Sequence, residues 1–181
     1  MEPSIHHAAE LLLKAQGVLV VFFDVDGVLT DGGLHISSKG EDSKRFNTLD
    51  GYGLKLLQAA GIVPAIISGR DSKALRARLQ ALGIVHAHCG VQDKCAAAQN
   101  TLQALGLRWD QAAAMGDDWP DLALMRRCAF SGAPPNAHEE VRAAANYVSG
   151  KRGGDGAVRE FCDLLLVASG KYAGLLEEAS S

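Results

Sequence analysis

Val18–Phe23, VLVVFF, is an unbroken apolar run. A strand of that kind is buried on both faces, which a layered α/β architecture provides and a half-solvated antiparallel sheet does not. Val63–Ile67, Ile84–His88 and Ala112–Met115 read as further strands, with weaker ones near Ala129–Ser131 and Tyr147–Val148. Stretches of helical period lie between them. These are Ser4–Gln16, closed by Gly17, and a helix through Leu54 and Leu57 to Gly61, with Asp50 as its N-cap. Ser72–Leu82 and Asp93–Leu105 follow, closed by Gly83 and Gly106, and then Pro120–Arg127, Ala137–Ala145 and Ala157–Ala168. Strand–helix alternation predicts a doubly wound, Rossmann-like parallel sheet with helices on both faces. One stretch breaks the rhythm. Between Asp31 and Phe46, Leu34–Ile36 and Ser43–Phe46 flank Ser38-Lys39-Gly40, the pattern of a small β-hairpin insertion. No repeat or linker divides residues 1–181, so one domain is expected, with the hairpin at 31–46 and a polar tail at 169–181.

Composition narrows the partners. Lys plus Arg is 18 against 21 Asp plus Glu, and no basic block occurs. Neither nucleic acid nor an anionic membrane is therefore expected as a partner. Val18–Phe23 falls far short of the about 20 residues that span a bilayer. Met1-Glu2-Pro3 offers no basic n-region, so secretion is not expected. Cys89, Cys95, Cys128 and Cys162 show no CxxC pair and no zinc spacing, which suits reduced thiols in a cytoplasm.

In doubly wound sheets ligands bind beyond the carboxyl ends of the strands. The residues that follow the expected strands are Asp24-Val25-Asp26-Gly27, Ser68-Gly69-Arg70, Asp93-Lys94, and Gly116-Asp117-Asp118 with Asp121 beyond. One hydroxyl, one lysine and several carboxylates thus converge on one edge. Carboxylates suit Mg²⁺, a hard cation that takes oxygen ligands. A metal-held carboxylate can also attack phosphorus, and a second carboxyl two residues on can protonate the leaving alkoxide. A lysine and a hydroxyl can hold the oxygens over which transition-state charge is spread. Lys94 opens a helix, where the dipole disfavours a cation, so a role facing an anion is the better account.

In order, DVDGVLTDG, ISGR, QDK and GDDWPD resemble the four motifs of haloacid dehalogenase superfamily phosphatases. The hairpin in place of a cap domain, FNTLDGYGLKLL and GAVREFCDLLL make the chain similar to the 3-deoxy-D-manno-octulosonate 8-phosphate (KDO 8-phosphate) phosphatases. The resemblance implies a haloacid dehalogenase-type fold and a Mg²⁺-dependent phosphomonoesterase. Such an enzyme hydrolyses KDO 8-phosphate through an aspartyl-phosphate in the cytoplasm, for lipopolysaccharide core synthesis. It implies Asp24 as nucleophile and metal ligand, Asp26 as general acid/base and carbonyl ligand, and Asp117 as completing the metal site. Ser68 and Lys94 would hold the phosphoryl group, with Asp118 and Asp121 in support. Substrate contacts are implied for Asp26, Asn47, Thr48, Leu49, Asp50, Gly51, Lys55, Ser68, Gly69, Arg70, Arg78 and Lys94. Many relatives carry Arg where this chain has Leu49 and Lys55. A homo-oligomer, as a tetramer, is implied as well. A two-stranded hairpin is marginal alone, so its apolar Leu34, Ile36 and Phe46 are expected to pack with other copies as a collar. The tail is expected either to reach a neighbouring site as a lid or simply to fray.

Plainer readings stand beside these. Arg70 and Arg78 are open to a second account as surface charges. Arg76, His6 and His7 read as surface, Trp119 as packing, Cys89 and Cys162 as buried, and Gly153–Gly156 as a tight loop. Three other functions compete with the first. They are a phosphatase for another sugar acid such as N-acylneuraminate 9-phosphate, a phosphatase for a macromolecular phosphoester, and a catalytically idle oligomerisation module. The intact set Asp24, Asp26, Ser68, Lys94 and Asp117 argues against the last.

Overall fold

The structure, a computed structural model, describes residues 4–181, apart from the side chains of residues 41 and 42; Met1-Glu2-Pro3 lies outside it. The strands are β1 (Val20–Phe23), β2 (His35–Ser37), β3 (Gly40–Ser43), β4 (Val63–Ser68), β5 (His86–Cys89), β6 (Ala112–Met115), β7 (Phe130–Ala133) and β8 (Tyr147–Val148). The helices are α1 (Ala9–Ala15), α2 (Thr48–Ala59), α3 (Lys73–Leu82), α4 (Lys94–Leu105), α5 (Trp119–Arg127), α6 (Glu139–Ala144), α7 (Ala157–Ala168) and α8 (Tyr172–Glu178).

Six strands form one sheet in the order β5-β4-β1-β6-β7-β8, parallel throughout. The chain moves outward from β1 to β4 and β5, then returns to β1's other side with β6. The order therefore reverses at β1, the position where doubly wound sheets open a crevice. Side chains alternate between two cores, as the pleat requires. Val21, Phe23, Ile66, Ala113 and Met115 face α2, α3 and α7. Val20, Phe22, Ala65, Ile67, Ala112 and Ala114 face α4, α5 and α6. On the first face Phe161 of α7 stacks on Phe130 at 5.7 Å and meets Phe23 edge-on at 6.2 Å. No helix among the described residues is long and apolar enough to cross a membrane.

Several boundaries differ from the sequence reading. Helix α1 begins at Ala9 and ends in right-handed backbone at Gln16, where Val18 N–H bonds to Ala15 O, so Gly17 is not its left-handed terminus. Asn47, not Asp50, caps α2; its side chain accepts from Leu49 N–H at 2.8 Å. The hairpin's second strand is Gly40–Ser43, because Phe46 turns inward to pack on the core beneath the Arg78 guanidinium at 5.8 Å. The polar tail is folded: α8 sets Tyr172 and Leu175 against the same core, at the spacing of one helix face. It lies on its own chain rather than extending from it.

Candidate active site

Asp24 follows β1 directly, and its N–H bonds to Met115 O at 3.0 Å, so pairing with β6 carries one residue past the strand. The loop beyond it is held internally. Thr30, buried, accepts from Gly27 and Gly32 N–H through Oγ1 and donates to Val25 O. Asn136 bridges this loop to the Gly153 segment, donating to Gly27 O at 3.2 Å and accepting from Gly153 N–H at 2.7 Å.

Lys94 is the first residue of α4, whose N-cap Asp93 accepts from Ala96 N–H. Its side chain is buried, and Nζ lies 2.6 Å from both Asp24 Oδ1 and Asp121 Oδ1. Asp121, in the first turn of α5, accepts Asp117 N–H at 3.0 Å and Asp118 N–H at 3.3 Å on its other oxygen. Asp24, Asp117 and Asp121 bring one ligand oxygen each within 4.8 Å of one another.

Three carboxylates share this space with one lysine. Burial raises Asp24 to about 6; Asp121 adds to the rise and Lys94 opposes it. Burial, together with the charges of Asp24, Asp121 and Asp118, raises Asp117 to about 8. For Lys94, burial works against the charged form, but Asp24 and Asp121 together overcome it and its pKa is raised. The cluster is short of positive charge. A divalent cation with oxygen ligands would remove that deficit, and the oxygen donors gathered here fit Mg²⁺.

Asp26 stands nearer solvent. Lys44 Nζ lies 2.5 Å from its Oδ1, and Arg70 Nε is 3.8 Å from its Oδ2. Ser68, buried at the end of β4, accepts from Arg70 N–H at 3.1 Å, while Gly69 and Arg70 are exposed. Arg78, half-buried on α3, donates to Asn47 O at 3.1 Å and lies over Gly51. Thr48 and Lys55 are exposed, as is Leu49 at 56%. Asp50 is turned inward: its oxygens accept Gly156 N–H at 3.2 Å and Arg159 N–H at 2.9 Å, so it caps α7 from a distance.

Lys44 escaped the sequence reading, since SKRF gives no reason to prefer it over its neighbour Arg45, which is exposed. Thr30 and Asn136 carried no signal either. Among the plainer readings, Arg76 does form a surface ion pair with Asp71, at 2.6 Å. Trp119 is not packed but 62% exposed, its Nε1 donating to His138 Nδ1 at 3.1 Å. His7 is half-buried, edge-on to Tyr147 at 6.1 Å, rather than a surface residue, and Cys89 is only half-buried.

Residues 88–161 match the haloacid dehalogenase-like hydrolase family. The 3-deoxy-D-manno-octulosonate 8-phosphate phosphatase of Escherichia coli K12 is 40% identical over 164 residues, covering 91% of this chain and 87% of the relative. The solved Moraxella catarrhalis 3-deoxy-D-manno-octulosonate 8-phosphate phosphatase, in complex with magnesium, phosphate and KDO, superimposes with a TM-score of 0.91. It is 38% identical, with 95% of this chain and 99% of that one covered. The cobalt-bound Haemophilus influenzae enzyme gives 0.86 at 41% identity, over 88% and 94% of the two chains. Likeness of that extent across sequence and fold together places this chain in the family of 3-deoxy-D-manno-octulosonate 8-phosphate phosphatases, among the haloacid dehalogenase-like hydrolases.

Proposed function

We propose that this chain is a Mg²⁺-dependent phosphomonoesterase that hydrolyses KDO 8-phosphate to KDO and phosphate through an aspartyl-phosphate on Asp24. The observation that carries the reading is the buried Lys94 bridging Asp24 and Asp121 beside Asp117. A neutral fold has no use for three carboxylates and a lysine in the crevice of a parallel sheet, whereas phosphoryl transfer does. The similar Moraxella enzyme that holds magnesium, phosphate and KDO supports the substrate.

Asp24, Asp117 and the Asp26 backbone carbonyl would hold Mg²⁺. When bound, the cation supplies charge to the phosphoryl oxygens and keeps the ligating carboxylates ionised. Asp24 attacks phosphorus in line with the leaving sugar oxygen. Asp26 gives that oxygen a proton as the P–O bond breaks, and takes one from the water that then cleaves the acyl phosphate. Lys94 and Ser68 hold the equatorial oxygens, with Lys94 turning from its present carboxylate partners toward the phosphoryl group. Arg70, exposed above Asp26, and Arg78, beside Asn47 and Gly51, supply positive charge for the sugar acid. Gly69 leaves that entrance uncrowded. Exposed Thr48, Leu49 and Lys55 line α2's first turns, where the sugar would extend.

We also place the enzyme in the cytoplasm, as its four free cysteines favour, and read it as a homotetramer. Exposed Leu34 and Ile36 on the hairpin support a collar between subunits; Phe46, packed in its own core, does not contribute.

The deciding experiment is phosphate release from KDO 8-phosphate, N-acylneuraminate 9-phosphate and a phosphopeptide. The reading requires KDO 8-phosphate to have the highest kcat/KM and EDTA to abolish turnover. A higher value for either competitor would overturn the substrate, and full activity after verified metal removal would overturn the site.

A further inference from the structure

We infer that Lys44 is a positioning residue for Asp26, and that the hairpin's place in the chain serves to bring Lys44 onto that carboxylate. The inference rests on Asp26 acting as general acid/base. Lysine side chains are rarely buried without a carboxylate partner. The Lys44 side chain is 1% exposed, and its Nζ reaches Asp26 Oδ1 at 2.5 Å across 18 residues of sequence. It lies one residue past β3, so the chain leaves Asp26, makes the hairpin, and returns over the same carboxylate. Arg45, next along, instead leaves the site for Asp155 at 2.9 Å. Lys44 therefore forms a second lysine–carboxylate contact in the site, apart from Lys94, which bridges Asp24 and Asp121.

The contact fixes which oxygen reacts. With Oδ1 held by Lys44, rotation about the Asp26 carboxylate is arrested. Oδ2 faces Arg70 Nε at 3.8 Å, beyond hydrogen-bond distance, and is the oxygen left to exchange a proton. In the first step Oδ2–H passes its proton to the leaving alkoxide as the P–O bond breaks and the Asp24–phosphorus bond forms. In the second, Oδ2 takes a proton from the attacking water. Lys44 keeps its proton and touches neither phosphorus nor the leaving group. Losing it leaves the acid present but unaimed, and misalignment matters most where the leaving group most needs a proton.

The test is a comparison of kcat/KM, which reports steps only through departure of the leaving group. Wild type, Lys44→Met, Asp26→Asn and the double variant are assayed with p-nitrophenyl phosphate and with the sugar-acid phosphate. Methionine keeps the buried stem and removes the ammonium. The expected result is a loss of roughly tenfold or more on the alkyl phosphate, little loss on the aryl one, and a double variant no worse than Asp26→Asn alone. An equal loss on both substrates, no loss on the alkyl phosphate, or multiplying losses in the double variant would each overturn the inference. Lys44→Gln is scored by the same outcomes if Lys44→Met melts below assay temperature. The two readings fail differently: a wild-type chain inert toward both substrates refutes the phosphatase reading and this one with it. An active wild type with a uniform Lys44→Met loss refutes only the role of Lys44.

Discussion

Asp117 occupies the space that a side chain at Gly27 would need. A Cβ at Gly27 would overlap the Asp117 carboxylate, and Gly27 has φ +95°, in the left-handed region. The loop bearing Asp26 and the loop bearing Asp117 can therefore approach each other this closely only because residue 27 has no side chain.

Gly27→Ala meets both obstacles at once, strain at φ and collision with the carboxylate proposed to hold Mg²⁺. We expect the variant to lose about 1–3 kcal/mol of stability and at least about tenfold in Mg²⁺ affinity through displacement of Asp117. Titration calorimetry with Mg²⁺ checks this, and wild-type affinity would show that Asp117 is not a ligand.

Asp24→Asn removes the nucleophile that the proposed mechanism requires while keeping the shape of the side chain. The amide is a poor nucleophile and a weaker cation ligand, so kcat should fall by at least about 10³-fold. Retention of more than about a tenth of wild-type kcat would end the aspartyl-phosphate mechanism.

Metal binding should be pH-linked in a direction set by the raised carboxyls. Asp24 at about 6 and Asp117 at about 8 both lie above their unfolded values. Without metal, each therefore favours the folded state most below the unfolded pKa near 4, and loses that contribution as pH rises through 6 and 8. Bound Mg²⁺ must displace those protons, so it favours the opposite trend. In EDTA the melting temperature should thus be lower at pH 8.5 than at pH 6, with these groups as the cause. The increment added by Mg²⁺ should be larger at pH 8.5. An equal Mg²⁺ increment at the two pH values would exclude Asp24 and Asp117 as the ligands.

Asp50 shows where sequence reasoning assigns the wrong task to the right residue. As the third residue of α2 it reads as a cap for its own helix, yet it accepts N–H groups from Gly156 and Arg159. Helix α7 begins at a glycine with no capping side chain, so its orphan N–H groups take Asp50 instead. Asp50→Ala should cost about 1–3 kcal/mol by leaving those donors unsatisfied, read as a lower urea midpoint. An unchanged midpoint would make the contact incidental.

The same contrast runs through the molecule. VLVVFF, the helices on both faces and the acidic strand ends were legible because period and position carry them locally. Asp24, Asp117, Asp121 and Lys94 follow their strands in sequence, and the parallel sheet necessarily gathers those ends. Lys44, Thr30, Asn136 and the true partners of Asp50 were not legible, because each acts across a fold-made gap, 18 residues for Lys44 and 109 for Asn136. Nothing in the local pattern of SKRF or PPNA distinguishes a residue that will be pressed against the catalytic loop. The folded tail was hidden for a related reason: its apolar residues Tyr172, Leu175 and Leu176 are too few to announce a helix without the surface they cover.

The hairpin carries the last prediction. A two-stranded ribbon is marginal alone, and β2–β3 leaves Ile36 66% exposed and Leu34 36% exposed. Phe46, the third apolar position of this segment, is already used to anchor the ribbon's exit to its own core. What remains is a small apolar edge on the hairpin, and burying it against other copies would give the ribbon the support it lacks. Ile36→Asp places a charge in that contact and should convert an oligomer to monomers by light scattering. Asp24 and Asp117 follow β1 and β6 rather than the hairpin strands, and Mg²⁺ binding should stay intact in the variant. KM for the sugar phosphate should rise in the monomer, because the mouth beside Arg70 loses its neighbour and opens to water. A monomeric, fully active wild type would remove the collar, and an Ile36→Asp oligomer of unchanged size would move the interface elsewhere.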